Sequence, residues 1–267
     1  MREVKYLRPR DLAEAVRWYR TTPGCRPLAG GTDLMVMLHA RTLRPEPHAV
    51  LDLWALRELK GIRRAGDMLE IGAAESYTNI ASSADVQRHL PALAAVARTI
   101  GAAQIQNRGT IGGNLANASP AGDTLPVLLA CDAIVVTDRR TISIDRFFTG
   151  YRQTALSGDE LITAVRLPMG REVAFRKVGT RAAQAISKMV IAVSRAPARV
   201  ALGSVAEIPL RARAAEAALE RGDIEGAVSA VAGDIRPIDD VRSTAAYRRA
   251  VAQNVLRDLL QAWPPSQ

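Results

Sequence analysis

Apolar residues recur with a helical period over residues 11–20, close to the start of the chain. Leucine, alanine, valine and tyrosine occupy positions 12, 15, 16 and 19, which fall on one face of a helix. Asp11 precedes this run and Glu14 follows it by three residues, a spacing typical of a helix N-terminus. The run Thr22–Gly24, with its central proline, ends the predicted helix.

Short segments separated by glycine, proline and charged turns follow. Two alternating stretches predict β-hairpins, over residues 61–72 around Gly66 and over residues 133–144 around Arg139. Other segments predict strands over residues 26–29, 49–53 and 161–167, and helices over residues 34–40, 76–83, 90–100 and 123–130. Residues 101–122 are rich in glycine and predict a loop.

The pattern changes after Gly170. Three strands are predicted over residues 173–178, 186–193 and 200–205, and they favour one three-stranded antiparallel sheet. Alanine-rich helices are predicted over residues 212–220, 225–232 and 244–262. The chain is therefore expected to be an α+β protein with a domain boundary at Gly170, and residues 171–267 form its C-terminal α+β domain.

Composition excludes some classes of protein. The 267 residues are 48% hydrophobic, which is enough for a packed core and excludes disorder. The 36 basic residues exceed the 27 acidic ones, giving a net charge of +9. The arginines form only isolated doublets and aromatic residues make up 4%, so we expect no nucleic-acid partner. The charge fits a solvated arginine-rich surface or an acidic protein partner.

The two cysteines, Cys25 and Cys131, exclude a four-cysteine iron–sulfur or zinc site and a disulfide framework. No apolar run approaches the ~18 residues of a membrane span, so none is expected. The first ten residues are polar and do not resemble a signal peptide. We therefore expect a cytoplasmic protein.

Two glycine-rich segments are the candidate binding loops. The first, Leu28–Leu34, connects a predicted strand to a predicted helix, and the second spans Gly109–Asp123. Paired glycines let backbone N–H groups approach a ligand closely, and a helix N-terminus favours an anion. The two loops are candidates to hold a diphosphate from both sides, although on these residues alone ordinary tight turns remain an equal alternative. No dinucleotide, P-loop, serine-hydrolase or zinc-protease motif is present, and the three histidines lie in unrelated contexts.

The loop motifs resemble a known family. Ala29–Leu34 reads Ala-Gly-Gly-Thr-Asp-Leu, Thr110–Asn114 reads Thr-Ile-Gly-Gly-Asn, and Ala118–Asp123 begins with Ala-Ser-Pro. Together they resemble the FAD-binding medium subunit of the molybdenum hydroxylases, the xanthine dehydrogenase and carbon monoxide dehydrogenase family. Further segments fall in the family's order, so the resemblance covers nearly the whole chain: Asp132–Ala133, Phe147–Tyr151, Asp159–Ile162, Phe175–Gly179, Asp240–Arg242 and Tyr247–Arg248.

The resemblance implies a fold of the vanillyl-alcohol-oxidase (PCMH) type. Residues 1–170 would form the FAD-binding domain, from two α/β subdomains at about 1–55 and 56–170, and residues 171–267 the C-terminal domain. It also implies a heterotrimer with a large molybdopterin subunit and a small subunit that carries two [2Fe–2S] clusters. This chain would pass electrons from those clusters through FAD to NAD or another acceptor.

The resemblance also implies the cofactor-binding residues. The two loops would hold the diphosphate, Asp123 would bind the sugar end of FAD, and three further positions would lie close to the flavin. These residues are Pro27, Leu28, Ala29, Gly30, Gly31, Thr32, Asp33, Leu34, Thr110, Ile111, Gly112, Gly113, Asn114 and Asp123, with Ile100, Ile162 and Lys177 near the flavin. No catalytic side chain and no metal ligand is predicted. A bulky replacement of Gly112 is expected to block FAD retention while the fold survives.

The chain departs from the family pattern at residues 185–189. Ala185-Ile186-Ser187 stands where Asp-Ile-Ala is commoner, and the stretch Ser194–Arg199 is short for the family. Two alternatives stay open on the sequence. One is a stand-alone flavoprotein oxidoreductase of the same fold, and the other is a scaffold subunit without FAD.

Overall fold

The computed structural model describes residues 4–43, 45–181 and 184–263. Within these ranges the chain forms fourteen strands, eleven α-helices and two 3₁₀ helices, Arg57–Leu59 and Ile144–Arg146. The strands are β1 (Lys5–Leu7), β2 (Cys25–Leu28), β3 (Ala49–Asp52), β4 (Ile62–Ala65), β5 (Met68–Gly72), β6 (Ile134–Thr137), β7 (Thr141–Ser143), β8 (Phe148–Gly150), β9 (Gln153–Thr154), β10 (Ile162–Pro168), β11 (Ala174–Val178), β12 (Met189–Arg195), β13 (Ala198–Gly203) and β14 (Leu210–Arg211). The helices are α1 (Leu12–Thr21), α2 (Leu34–His39), α3 (Tyr77–Ser82), α4 (Ala84–His89), α5 (Pro91–Ala97), α6 (Ala103–Arg108), α7 (Ile111–Asn117), α8 (Thr124–Ala130), α9 (Arg213–Glu220), α10 (Ile224–Asp234) and α11 (Ala245–Gln261).

The first unit is a parallel three-stranded sheet in the order β1-β3-β2. Helix α1 begins where the sequence predicts, because the Asp11 carboxylate accepts from the backbone N–H of Glu14 at 2.7 Å. All four residues of the central strand β3 are buried. Helix α2 follows β2 directly after the first glycine loop, so this sheet fixes where that loop lies.

The second unit is an antiparallel five-stranded sheet in the order β4-β5-β10-β6-β7. The two predicted hairpins form its two edges, β4–β5 and β6–β7. Helices α3 to α8 belong to the same stretch of chain, and the buried side chains of all of them except α6, which has none, share one core with this sheet. That core contains Phe147, Leu93 and Leu115, none of which is exposed.

The prediction of a loop over residues 101–122 is wrong. The segment forms two short helices, α6 and α7. Helix α7 is stable despite two glycines because the Thr110 hydroxyl caps its N-terminus and because Ile111 and Leu115, one turn apart, are fully buried. Capping and tertiary packing therefore outweigh the low helix propensity of glycine.

The third unit follows Gly170 and contains an antiparallel sheet in the order β11-β12-β13-β14. Its first three strands match the predicted three-stranded sheet, and the two-residue strand β14 adds an edge that hydrophobic periodicity does not indicate. Helices α9, α10 and α11 share a separate core with this sheet. The division at Gly170 and the subdomain limits near residue 55 stay predictions. None of the described helices is long and apolar enough to cross a membrane.

Candidate functional site

A cleft of about 600 Å³ is lined by residues from both the first and the second unit. Its walls include the first glycine loop on one side and the N-terminal turn of α7 on the other. Cavities of this size are typical of small-molecule and cofactor sites. The cleft is therefore the candidate binding site.

The first loop carries backbone donors that stay unpaired within the described part of the chain. Gly31 has φ +78°, a left-handed conformation that favours glycine, and it turns the chain from β2 into α2. The backbone N–H groups of residues Gly30 to Asp33 have no hydrogen-bond acceptor among the described residues. A row of unpaired N–H groups at such a turn is suited to bind an anion.

The second loop is built differently. The N–H of Gly112 donates to the carbonyl oxygen of Ala73 at 2.9 Å, and the N–H of Gly113 donates to the Thr110 hydroxyl at 3.0 Å. The backbone N–H groups of these two glycines are therefore already hydrogen-bonded within the protein and are not available to a ligand. A Cβ on residue 112 would stand 2.7 Å from the Cβ of Ala73. The same Cβ would stand 2.7 Å from the carbonyl oxygen of Ala73, so we expect a bulky residue at 112 to cost stability, and survival of the fold after a Gly112 replacement stays a prediction.

The side-chain amide of Asn114 is the hydrogen-bond donor of the second loop that is available to a ligand. The hydroxyl of Thr124, which is fully buried, donates to Oδ1 of Asn114 at 2.6 Å. With Oδ1 engaged in this way, the amide nitrogen Nδ2 is left without an acceptor among the described residues. Asn114 lines the cleft, so its amide is a candidate ligand-binding group.

The structure places most of the sequence-predicted residues at the cleft. Those that line it are Pro27, Leu28, Ala29, Gly30, Thr32, Asp33, Leu34, Ile100, Thr110, Gly112, Gly113, Asn114 and Ile162. Gly31 lies between lining neighbours without lining the cleft, and Ile111 is buried in the core of the second unit. Asp123 and Lys177 do not line it either, and their assignment to the cofactor stays a prediction.

Asp123 and Lys177 lie together beside the cleft. Lys177 Nζ is 2.7 Å from Asp123 Oδ2, and it also donates to the carbonyl oxygen of Thr99 at 2.8 Å. The hydroxyl of Ser187 donates to Asp123 Oδ1. The carboxylate of Asp123 is thus held on both oxygens by residues that follow Gly170.

Sequence reasoning missed several lining residues. They include Tyr19, Arg26, Tyr77, Arg152, Thr154, Leu156, Ser157 and Glu160. Two of them are cationic: Arg26 lies on β2, and Arg152 donates to Asn117 Oδ1 at 2.7 Å. Of these residues, only Glu160 lies in a segment that the family resemblance indicates as a whole, Asp159–Ile162; others, such as Tyr19 on α1 and Arg26 on β2, belong to no such motif.

The carboxylate of Glu160 is neutralised within the wall. Arg140 Nε is 2.9 Å from Glu160 Oε1, and the Thr137 hydroxyl donates to the same oxygen at 2.7 Å. The hydrogen bonds from Arg140 hold the pKa of Glu160 at about 2, although burial alone would raise it. Glu160 is therefore an ionised, paired side chain and is unsuited to act as a general acid near neutral pH.

Comparisons with known proteins agree with this geometry. Residues 2–170 match a family described as the FAD binding domain in molybdopterin dehydrogenase. Residues 173–263 match a family described as the CO dehydrogenase flavoprotein C-terminal domain. The two matched regions therefore account for almost all of the chain.

Individual relatives are similar over nearly their whole length. The glyceraldehyde dehydrogenase medium chain of Sulfolobus acidocaldarius is 32% identical, over 94% of this chain and 95% of the relative. The xanthine dehydrogenase FAD-binding subunit of Escherichia coli O157:H7 is 30% identical, over 96% of this chain and 94% of the relative. A solved structure of carbon monoxide dehydrogenase from Hydrogenophaga pseudoflava, lacking the Mo-pyranopterin moiety of its molybdenum cofactor, superposes with a TM-score of 0.91 at 32% identity, over 97% and 96% of the two chains.

Proposed function

The chain belongs to the family of FAD-binding medium subunits of the molybdenum hydroxylases, and from this we propose that it is the electron-transfer subunit of such a complex. In this proposal a large molybdopterin subunit and a small [2Fe–2S] subunit are its partners. Electrons from the partner's clusters reach this chain's FAD and leave it to NAD or another acceptor. The observation that carries the proposal is the cleft lined by both glycine loops.

The residues of the cleft fit FAD. The unpaired N–H groups of Gly30 to Asp33 are suited to the diphosphate, and the Asn114 amide adds a neutral donor from the opposite wall. The cationic side chains of Arg26 and Arg152 complement the diphosphate charge. These residues hold and orient the cofactor, together with the apolar side chains of Ile100 and Ile162 on the lining.

FAD, when bound, supplies the capacity to take up electrons singly and to release them in pairs. The protein positions the cofactor and sets the electrostatics around it, and this role requires no general base. The pairing of Glu160 with Arg140 agrees with that role, because it keeps the carboxylate of Glu160 ionised and engaged. Both cysteines, Cys25 and Cys131, are buried thiols, and burial raises the pKa of Cys131 to about 12. Two buried thiols are unsuited to bind an iron–sulfur cluster, so the proposal assigns the clusters to the partner.

The experiment that tests the proposal is purification of the native complex through an affinity tag on this chain. We expect two further polypeptides, with molybdenum, iron and FAD in a fixed ratio. A chain that purifies alone with FAD would contradict the proposal and favour a stand-alone flavoprotein. A chain that purifies with its partners but without FAD would favour a scaffold subunit.

The acceptor is tested on the same complex. After chemical reduction, the purified complex is mixed anaerobically with NAD⁺, and the visible flavin absorption is followed. Recovery of the absorption supports NAD as acceptor. Recovery with an artificial acceptor but not with NAD⁺ would exclude NAD and retain the electron-transfer role.

A further inference from the structure

The carboxylate of Asp123 joins the two parts of the chain on either side of Gly170. Lys177, on β11, is 2.7 Å from Oδ2, and Ser187 donates its hydroxyl proton to Oδ1. Ser187 is 1% exposed and the Asp123 side chain is 11% exposed, so water competes little for these bonds. Hydrogen bonds to a charged group in such surroundings are the stronger kind.

Two routes lead from this carboxylate to the cleft. Asp123 is followed by Thr124, whose hydroxyl donates to Oδ1 of Asn114 at 2.6 Å and so orients the Asn114 amide. Lys177 donates in addition to the carbonyl oxygen of Thr99 at 2.8 Å, and the next residue, Ile100, lines the cleft. A shift of Asp123 would therefore reach the cleft lining at Asn114 and at Ile100.

We propose that Ser187 is a positioning residue of the FAD site, acting through Asp123. Its hydroxyl fixes one carboxylate oxygen while Lys177 holds the other, and this keeps Thr124, Asn114 and the Thr99 carbonyl in place. Two donors do not exhaust the lone pairs of a carboxylate, so Asp123 keeps the capacity to accept from a cofactor hydroxyl. The proposal rests on the proposed function, since it assumes that FAD occupies the cleft.

Removal of the hydroxyl leaves Asp123 Oδ1 without its serine donor, so that Lys177 alone holds the carboxylate. We expect FAD binding to weaken, because the Asn114 amide and residues Thr99–Ile100 are then held less firmly in position.

The chain contains a matched control for this substitution. Ser194, on β12, is also fully buried, and its hydroxyl has no hydrogen-bond partner within the described ranges. Ser187→Ala and Ser194→Ala therefore remove the same atom from the same domain. Only the first of them removes a bond to Asp123.

The experiment measures the dissociation constant of FAD for the purified apoprotein by quenching of flavin fluorescence, with thermal unfolding of the apoprotein as a second reading. We expect Ser187→Ala to weaken FAD binding about fivefold, the value of one net hydrogen bond. Ser194→Ala should leave binding unchanged. We expect the melting temperature of the Ser187→Ala apoprotein to stay close to that of the wild type, so that a general loss of stability does not explain the weaker FAD binding.

A double-mutant cycle with Asp123→Asn tests whether Ser187 acts through Asp123. A neutral amide accepts a hydrogen bond about half as strong as a carboxylate does, so the effect of Ser187→Ala should fall to about twofold in the Asp123→Asn background. A fivefold effect in both backgrounds would overturn the proposal.

The remaining outcomes separate the two claims. Wild-type protein that binds FAD no better than Ser187→Ala would overturn this inference and leave the proposed function standing. Wild-type protein that does not bind FAD would overturn the proposed function and this inference with it.

Discussion

Gly30 lies against Arg108 so closely that a Cβ on residue 30 would stand 1.9 Å from the Arg108 carbonyl oxygen. The same Cβ would stand 3.1 Å from the Cα of Gly109. The first glycine loop is therefore in direct backbone contact with the chain that leads into α7. This contact sets the distance between the two walls that receive the FAD diphosphate.

Gly30→Ala should separate the two loops. The added methyl group meets backbone, which is unable to rotate away, so we expect a loss of about 1–3 kcal/mol in the free energy of unfolding. FAD binding should weaken more than tenfold because the four N–H donors of the first loop move with residue 30. Denaturant unfolding and FAD titration of the purified protein measure the two effects.

Gly158→Ala is the control for that substitution. No atom lies within 4 Å of a Cβ at residue 158, and its backbone is not left-handed. We expect no change in FAD binding and a change within ~0.5 kcal/mol in unfolding. Normal binding by Gly30→Ala would show that the contact between the loops does not shape the site.

Thr124→Val tests the orientation of the Asn114 amide. Valine keeps the shape of threonine in this fully buried position but donates no hydrogen bond to Asn114 Oδ1. The amide is then free to flip, so we expect FAD binding to weaken about threefold to tenfold, while the fold is retained. Isothermal titration with FAD measures the change, and unaltered affinity would remove Asn114 from the site.

Glu160→Gln gives a pH-dependent loss of stability. The pKa of Glu160 is lowered from an ordinary 4.5 to about 2 in the folded protein, mainly by its hydrogen bonds with Arg140. Because the folded-state value is the lower one, the stabilisation is complete above the unfolded-state pKa and is lost as the pH falls through about 2. We expect the wild-type protein to be about 2–3 kcal/mol more stable than the variant at pH 7, with the difference shrinking below about pH 5.

Denaturant unfolding of both proteins at several pH values measures this difference. Glu225→Gln serves as the control, because Glu225 is paired with Arg257 on the surface and its side chain is 67% exposed. Its substitution should leave the unfolding curve nearly unchanged. A wild-type advantage at Glu160 that stayed constant from pH 7 to pH 3 would refute the assigned role of its charge.

Asp132→Asn should weaken the junction between the parts of the chain on either side of Gly170. The Asp132 carboxylate is 2.8 Å from Arg199, 3.1 Å from Arg171 and 3.3 Å from Arg211. Its φ is +50°, a conformation that asparagine also tolerates, so the substitution removes charge without backbone strain. We expect a loss of about 1–3 kcal/mol in the free energy of unfolding. Asp145→Asn, which removes only an exposed pair with Arg213, should change little by comparison.

The sequence predicts correctly those helices and strands that are marked by a pattern within a few neighbouring residues. The Asp11 cap, the two hairpins and the strands of the third unit follow from periodicity and turn residues over a few positions. The helical character of α7 is not evident from the sequence because its glycines hide the spacing of Ile111 and Leu115. Strand β14 has two residues, too few for a period to register.

The part of the site that can be predicted from the sequence is the part formed by recognisable motifs. The two glycine loops stand out in the sequence, but which of their N–H groups are free depends on tertiary acceptors such as the carbonyl of Ala73. The pairing of Asp123 with Ser187 joins residues 64 positions apart, and no local pattern encodes it. Arg152 and Glu160 line the cleft together with residues of the first unit that are distant in the sequence, so no local pattern indicates them.

The most direct test of the account is a crystal structure of the purified chain with FAD bound. We expect the diphosphate oxygens to lie about 2.7–3.2 Å from the backbone nitrogens of Gly30 to Asp33, with the Asn114 amide on the opposite side. Density that places the diphosphate away from both glycine loops would contradict the assignment of the cleft as the FAD site.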